Sequence, residues 1–188
     1  HKCRKRIQRH LKLQLKVADH YIDPISNDVD IIIHITDSPT QGLIAKTLMQ
    51  SRLILCATPH YIKQNGQLTH PDQIPSHNCL CLGESPLDRV WSFTKRQQHI
   101  SVNATGTFVV NHSEIRREAV LRHMGISVFP EFAVQTFIDS GELVEILEDW
   151  TIGGNYQGTV VAQYAQSRFV PRQIKALVDY LHSAFADS

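Results

Sequence analysis

Polar side chains that could bind a small molecule follow three apolar segments of the chain. The apolar segments are Ile31–Ile35, Cys79–Leu82 and Thr107–Val110. Ligands of open α/β sheets bind beyond the carboxyl ends of strands, so we expect the residues that come next to line a binding site. The third group also opens a predicted helix, whose free N–H groups favour an anion. The predicted contacts at these three points are Thr36, Asp37, Gly83, Glu84, Asn111, His112 and Ser113.

The last three of these residues also have simpler interpretations. Asn111 and Ser113 are residue types that cap helices, and Glu114 follows Asn111 at a spacing close to that of a capping box. His112 would add pH sensitivity to a site, because an imidazole titrates near neutral pH. An exposed histidine without a role is the alternative.

Metal binding and catalysis find little support in the residue pattern. His70, His77, Cys79 and Cys81 form the densest group of metal-ligating types, but the cysteines are too close together and the histidines too far apart for a zinc site. No nucleophile elbow, phosphate-binding loop or HExxH motif is present. We therefore predict no metal, no cofactor and no enzymatic activity.

Composition excludes several further classes. The chain has 188 residues, 42% of them hydrophobic, and 19 Lys+Arg against 18 Asp+Glu give a net charge of +1. This balance argues against a nucleic-acid surface within the chain and against disorder. No apolar run approaches the length of a membrane span, so we expect no membrane contact. The cysteine spacing suits reduced thiols, which favours the cytoplasm.

Short strand patterns alternate with helix patterns along the chain, which predicts an α/β fold. Leu13–Val17 alternates as a half-buried strand does. Thr58-Pro59 is typical of a helix start, and Ser113–Met124 reads as a helix closed by Gly125. The last helix, after Pro171, carries an apolar stripe of Ile174, Val178 and Leu181. The middle of the chain is rich in strands, which favours two lobes.

The order and spacing of several segments resemble the effector-binding domain of LysR-type transcriptional regulators. The resemblance runs from about Ile7 to about Leu181. It rests on the segments Asp28–Ile35, Leu43–Leu48, Leu55–Ile62, His70–Ile74, His77–Leu80, Trp91–Phe93, Arg117–Ala119, Met124–Pro130, Ser140–Val144, Asp149-Trp150, Gln166–Arg168 and Pro171-Arg172.

The resemblance implies a two-lobed α/β domain of the periplasmic-binding-protein-like type 2, in which each lobe is a mixed, mainly parallel sheet flanked by helices. Lobe I would be residues 1–58 plus 165–188, and lobe II residues 59–164. An effector would bind in the cleft between them, with further contacts from Thr58, Phe129 and Pro130. The hinge residues would be Thr58, Pro59, Tyr164 and Ala165.

The resemblance also implies partners. The effector would be a small molecule, in our expectation a small organic acid, and the domain would form a homodimer or homotetramer. The apolar stripe of the last helix would suit such an interface, unless it packs on its own lobe. Promoter DNA would be bound only by an N-terminal winged helix-turn-helix, which this chain lacks. The alternative is a stand-alone solute-binding protein for transport on the same fold.

Overall fold

A computed structural model describes residues 12–17, 23, 27–83, 85–154, 156–167 and 170–186. The described residues fall into two compact units. Unit 1 takes in those of His1–Gln50 and Gly158–Ser188, and unit 2 those of Ser51–Gln157. None of the described helices is both long and apolar enough to cross a lipid bilayer.

The described part of the chain contains strands, α-helices and three 3-10 helices. The strands are β1 (Ile32–Ile35), β2 (Leu43–Ser51), β3 (Leu53–Ala57), β4 (Leu80–Cys81), β5 (Val90–Lys95), β6 (Gln98–Asn103), β7 (Phe108–Val109), β8 (Ser127–Pro130), β9 (Val144–Ile146), β10 (Thr151–Gly153) and β11 (Gly158–Ala165). The α-helices are α1 (Pro59–Asn65), α2 (Ser113–Leu121), α3 (Gln135–Asp139) and α4 (Arg172–Ala186), and the 3-10 helices are Pro71–Ser76, Pro86–Arg89 and Glu131–Ala133.

Unit 1 is a three-stranded sheet, in the order β1-β11-β2, with helix α4 packed on it. Val178 of α4 is only 2% exposed, and it lies in one cluster with Leu48, Val160 and Ala162 of the sheet. Ile174 and Leu181 pack against the same cluster. The apolar stripe of α4 therefore belongs to the core of its own unit, which is the alternative that the sequence offered to an exposed dimer surface.

Unit 2 contains a larger sheet in the order β6-β5-β10-β3-β8, with β9 also paired to β3. The central strand β3 is buried along its whole length, because it has neighbours on both edges and packing on both faces. One core cluster includes Trp91 and Phe93. A second includes Phe129 and Val120, which places α2 against the sheet.

Strand direction differs from the prediction of mainly parallel sheets. In the described pairs, β1 is antiparallel to β11, and β3 is antiparallel to β8, β9 and β10. Among the described residues, β4 pairs with β7 in parallel, and a parallel bridge joins Cys79 and Ile126. Antiparallel neighbours such as β5 and β6 need only a two-residue turn, whereas parallel neighbours need a crossover of about a dozen residues.

Three local predictions were wrong. Residues 12–17 form no strand, and Leu13, Leu15 and Val17 are at least two-thirds exposed. Helix α2 ends at Leu121, and His123 rather than Gly125 takes the left-handed conformation after it, with φ of 63°.

Gly125 is required for another reason. A Cβ at this position would lie 2.1 Å from the carbonyl oxygen of Asn78. The glycine thus permits a close approach of two backbone segments, which a helix-end signal in the sequence does not reveal.

Candidate ligand-binding site

The carboxyl ends of β4 and β7 meet at one edge in unit 2. Cys81 lies opposite Val109 in parallel register, and the N–H of Val110 donates to the carbonyl of Cys81 at 3.1 Å. Gly83 follows β4, and a Cβ there would lie only 2.7 Å from Cγ1 of Val109. The structure therefore brings Gly83 beside the segment that leads into Asn111.

The amino terminus of α2 has no side-chain cap. His112 is the N-cap residue, and its side chain makes no capping hydrogen bond. The first backbone bond joins the N–H of Arg116 to the carbonyl of His112 at 3.0 Å, so the N–H groups of residues 113–115 lack intrahelical partners. The interpretation of Asn111 and Ser113 as helix caps is wrong. Both side chains are exposed, and neither has a hydrogen-bond partner in the described part of the chain.

Thr58 is held inside unit 2 rather than open to solvent. It is 3% exposed, and its Oγ1 accepts the N–H of Tyr61 at 3.2 Å as the N-cap of α1. The same oxygen lies 2.7 Å from Nδ1 of His123. The ring of His60 packs against that of His123, with the centroids 4.5 Å apart. The hydroxyl of Thr58 thus already makes two hydrogen bonds within unit 2. Its contact with a ligand stays a prediction.

Phe129 and Pro130 lie on β8, the edge strand next to β3. Phe129 is fully buried, and the guanidinium of Arg116 lies 4.6 Å from the centre of its ring. Phe129 therefore supports the base of α2 from within the core. Pro130 is partly exposed and pairs with Leu53.

Thr36 and Asp37 lie in unit 1, where β1 ends. A carboxylate oxygen of Asp37 accepts the N–H of Thr159 at 3.1 Å, and the hydroxyl of Thr159 lies 3.4 Å from the same oxygen. Thr36 donates its N–H to the carbonyl of Thr159 at 2.9 Å, and its Oγ1 accepts the N–H of Ser38. Gly158, with φ of +127°, leaves room for Asp37, because a Cβ there would lie 2.7 Å from the carboxylate. Asp37 thus ties the end of β1 to β11.

Sequence reasoning missed Gln163, which is fully buried in β11. Its Oε1 lies 2.7 Å from Nε2 of His34 and accepts the N–H of Thr40, while its Nε2 donates to the carbonyl of Thr40. Gln163 thereby holds both β1 and the segment that follows Asp37. An amide inside the apolar run of β11 was the signal in the sequence, because a buried amide needs such partners.

The four predicted hinge residues lie at element ends. Thr58 and Pro59 begin α1, and Tyr164 and Ala165 end β11. The chain passes between the units at residues 50–51 and again at 157–158, on the amino-terminal side of both predicted crossings. The hinge role stays a prediction. Glu84, also predicted as a contact, lies outside the described residues.

The described residues of unit 2 form a pocket and a groove. A pocket of about 380 Å³ opens beside Gly83 and is lined by Leu82, Gly83, Ser85, Pro86, Arg89 and Val109. The groove has a volume of about 670 Å³. One wall is formed by α1 and the segment that follows it, and the other by Val144–Asp149. Its lining includes Pro59, which was predicted as a hinge residue. The smaller pocket is therefore the cavity that coincides with the predicted site.

No metal centre is formed by the described residues: no three histidine, cysteine or acidic side chains among them come together. The histidines of the densest group of metal-ligating types in the sequence are separated, since the ring of His70 packs on Trp150 and that of His77 on Tyr61. Cys79 is buried, and burial raises the pKa of its thiol to about 12, which keeps it protonated. A thiol must lose its proton to bind a metal.

Comparison with known sequences identifies relatives over almost the whole chain. A sequence profile of the LysR substrate binding domain matches residues 6–186. The chain is 33% identical over 167 residues to the probable HTH-type transcriptional regulator LtrA of Klebsiella pneumoniae, covering 89% of this chain and 54% of that protein. It is 30% identical over 179 residues to the HTH-type transcriptional regulator DmlR of Escherichia coli, covering 94% and 57%. The chain spans little more than half the length of these curated relatives.

Solved structures give the same result for the fold. The regulatory domain of CrgA, a LysR-type transcriptional regulator from Neisseria meningitidis, matches with a TM-score of 0.82 and 25% identity, over 98% of this chain and 88% of that one. The full-length virulence activator AphB of Vibrio cholerae matches with a TM-score of 0.79 and 24% identity, over 97% and 60%. The predicted fold class is confirmed, and the relatives favour a regulatory domain over a transport protein.

Proposed function

The chain belongs to the LysR substrate binding domain family, and we propose that it is the part of a bacterial transcription regulator that binds a small-molecule effector. The proposed role is recognition without covalent chemistry. In the full-length protein, promoter DNA would be bound by a separate helix-turn-helix domain. The regulator would act in the bacterial cytoplasm.

The observation that carries this proposal is the uncapped start of α2. Asn111, His112 and Ser113 expose polar side chains without partners in the described chain, directly beside free backbone N–H groups. A helix start usually satisfies these donors with its own cap, and losing a cap costs about 1 kcal/mol. The positive end of the helix dipole adds a preference for negative charge. This arrangement suits the carboxylate of a small organic acid.

The buried residues beneath α2 suit a pre-formed site. Arg116 and Val120 of α2 are buried on its inner face. The guanidinium of Arg116 lies over the ring of Phe129, and Val120 shares a core cluster with Phe129. A helix fixed in this way presents its first turn in one orientation, so little ordering would be needed when the ligand binds.

Regulation would follow by population shift. An effector that binds one arrangement of the protein more tightly than another raises the population of that arrangement by its differential affinity. In a homodimer or homotetramer, such a shift would change the placement of the DNA-binding domains, and the coupling between ligand and DNA would be reciprocal. Thr58, Pro59, Tyr164 and Ala165 are the proposed hinge positions.

Thermal unfolding against a panel of small organic acids, amino acids and sugars tests the proposal. A ligand present at about 100 times its Kd stabilises the folded state by about 2.7 kcal/mol. For a chain of this size, that raises the midpoint by roughly 5–10 °C.

Three variants locate the effect. Asn111→Ala and His112→Ala should abolish the shift. Asn103→Ala is the matched control, because Asn103 is also exposed and lies on β6, away from α2. A midpoint that no compound raises, or a shift that Asn111→Ala and His112→Ala leave unchanged, contradicts the proposal.

A further inference from the structure

Two exposed histidines from separate segments of unit 2 lie against each other. His60 is in the first turn of α1, and His123 is in the turn that follows α2. Their ring centroids are 4.5 Å apart, and the ring planes are tilted by 41°. Because both residues are exposed, ions in the surrounding water have access to this pair of imidazoles.

The ring of His123 is held in place by a buried hydroxyl. Its Nδ1 lies 2.7 Å from Oγ1 of Thr58, which is 3% exposed and fixed as the cap of α1. The backbone of His123 is left-handed, with φ of 63°, a conformation that residues other than glycine seldom adopt. The bond at Nδ1 leaves Nε2 as the nitrogen of His123 without a hydrogen-bond partner in the described chain. His123 therefore presents Nε2 from a ring of fixed position.

His60 offers its nitrogens without competition from the protein. Neither nitrogen of its ring forms a hydrogen bond or ion pair with a described residue, and the ring contacts that of His123. Two nitrogens that bind one ion lie at most about 4.2 Å apart, since each metal–nitrogen bond is about 2.0–2.1 Å long. Rings with centroids 4.5 Å apart meet this limit, because each nitrogen lies off its ring centre and no bond holds the ring of His60.

We propose that His60 and His123 together bind a divalent ion of the late first transition series, such as Ni²⁺, Cu²⁺ or Zn²⁺, through one imidazole nitrogen each. Imidazole is a ligand that suits these ions. No third histidine, cysteine or acidic side chain joins the pair among the described residues. Two ligands fall short of a three-residue centre, so water would fill the remaining positions around the ion.

Thr58 is the positioning residue of this site. When His123 binds an ion through Nε2, its proton lies on Nδ1, which then donates to Oγ1 of Thr58. A metal-binding histidine commonly donates its other ring N–H in this way, which fixes the ring and its tautomer. The inference goes beyond the proposed function, since the ion would join the start of α1 to the turn after α2 instead of occupying the proposed effector site.

The test uses Ni²⁺ as the probe, because this ion is paramagnetic and broadens the NMR signals of nuclei near it. In a titration of the ¹⁵N-labelled chain, the amide signals of Tyr61 and Met124 should broaden at lower Ni²⁺ concentrations than those of Gln98 and Ile100, which flank the exposed His99. Addition of EDTA should restore the signals.

Variants of the two ligands locate the site. His60→Ala should raise the Kd for Ni²⁺, taken from the Met124 signal, by at least about 10-fold, because losing even a partner of a metal ligand costs about 10–100-fold. His123→Asn should raise the Kd taken from the Tyr61 signal in the same way, and asparagine tolerates the left-handed backbone.

His99→Ala is the matched control. Nδ1 of His99 also lies 3.0 Å from a threonine hydroxyl, that of Thr94, but no second imidazole of the described chain packs against this ring. The variant should leave the Kd taken from Met124 unchanged.

The inference is overturned if Ni²⁺ broadens the signals beside His60 and His123 no earlier than those beside His99, or if His60→Ala binds Ni²⁺ as tightly as the parent chain. His60 is exposed, so an unchanged melting midpoint without Ni²⁺ confirms that His60→Ala folds. His123→Asn should melt at a lower temperature, because it loses the bond to Thr58. His60→Ala therefore decides the outcome.

Discussion

Thr58 Oγ1 and His123 Nδ1 lie 2.7 Å apart, although the two residues are 65 positions apart in the chain. The same hydroxyl caps α1, so one buried oxygen joins the start of α1 to the turn that follows α2. His123 holds a left-handed backbone conformation in that turn. The contact thus connects two elements whose ends include predicted site residues.

Removing the hydroxyl of Thr58 should destabilise unit 2. Thr58→Val keeps the shape of the side chain but loses both the cap and the bond to His123, and a lost cap alone costs about 1 kcal/mol. Urea-induced unfolding measures the change in free energy. Thr58→Ser keeps the hydroxyl and is the matched control, so equal stabilities of the two variants would refute the role given to Oγ1.

Acidification should weaken the fold through His77. Burial lowers the pKa of His77 from its ordinary value of 6.5, and Nδ1 is buried without a partner in the described chain. Below about pH 6.5, His77 is protonated in the unfolded chain but stays neutral in the folded chain. The free energy of unfolding therefore falls as the pH falls towards the lowered pKa.

His77→Phe keeps a ring against Tyr61 and removes this titration. The free energy of unfolding, measured at about pH 7.5 and about pH 5.5, should fall less in His77→Phe than in the parent chain. The other histidines contribute equally to both proteins and cancel in the comparison. An identical fall in both would exclude His77 as a source of the pH dependence.

A side chain at position 158 should destabilise unit 1. Gly158→Ala places a Cβ 2.7 Å from the carboxylate of Asp37 and strains a backbone with φ of +127°. Backbone strain of this kind costs about 1–3 kcal/mol. Gly153→Ala is the control, because its nearest atom, Cβ of Ser92, would lie at an ordinary 3.8 Å. Thermal midpoints that fall equally in the two variants would contradict this account.

The described cysteines should resist alkylation while the protein is folded. Cys56, Cys79 and Cys81 are buried and unpaired, and burial raises the pKa of Cys56 and Cys79 to about 12. At about pH 8 only about one such thiol in 10,000 is ionised, and the thiolate is the reactive form. Mass spectrometry after iodoacetamide treatment should find these three residues unlabelled, and labelled in urea. Rapid labelling of Cys56 in the native chain would contradict the burial.

Local signals predicted some elements well. Thr58 and Pro59 give the cap and the first turn of α1, as their sequence predicted, because each acts on backbone within a few residues. The start of α2 was harder. Asn111 has the residue type of a cap, but His112 occupies that position and no side chain caps the helix. The residue type determines which hydrogen bonds a side chain can make. Whether such a bond forms depends on the packed backbone.

The alternation of Leu13, Leu15 and Val17 shows the same limit for strands. It predicts one apolar face, yet these side chains are exposed and residues 12–17 form no strand. A strand exists only where another strand pairs with it, and period-two alternation carries no information about that neighbour.

The sequence by itself determined the α/β class, the order of segments shared with the LysR family, and the placement of polar residues after β1, β4 and β7. These follow from patterns that act over a few residues or along the whole chain. Tertiary structure alone decided which of those residues stay open to a ligand. Asp37 accepts a hydrogen bond from Thr159, 122 positions away, whereas Asn111 has no hydrogen-bond partner among the described residues. The pairing of β1 with β11 creates the first contact, and no local pattern contains that pairing.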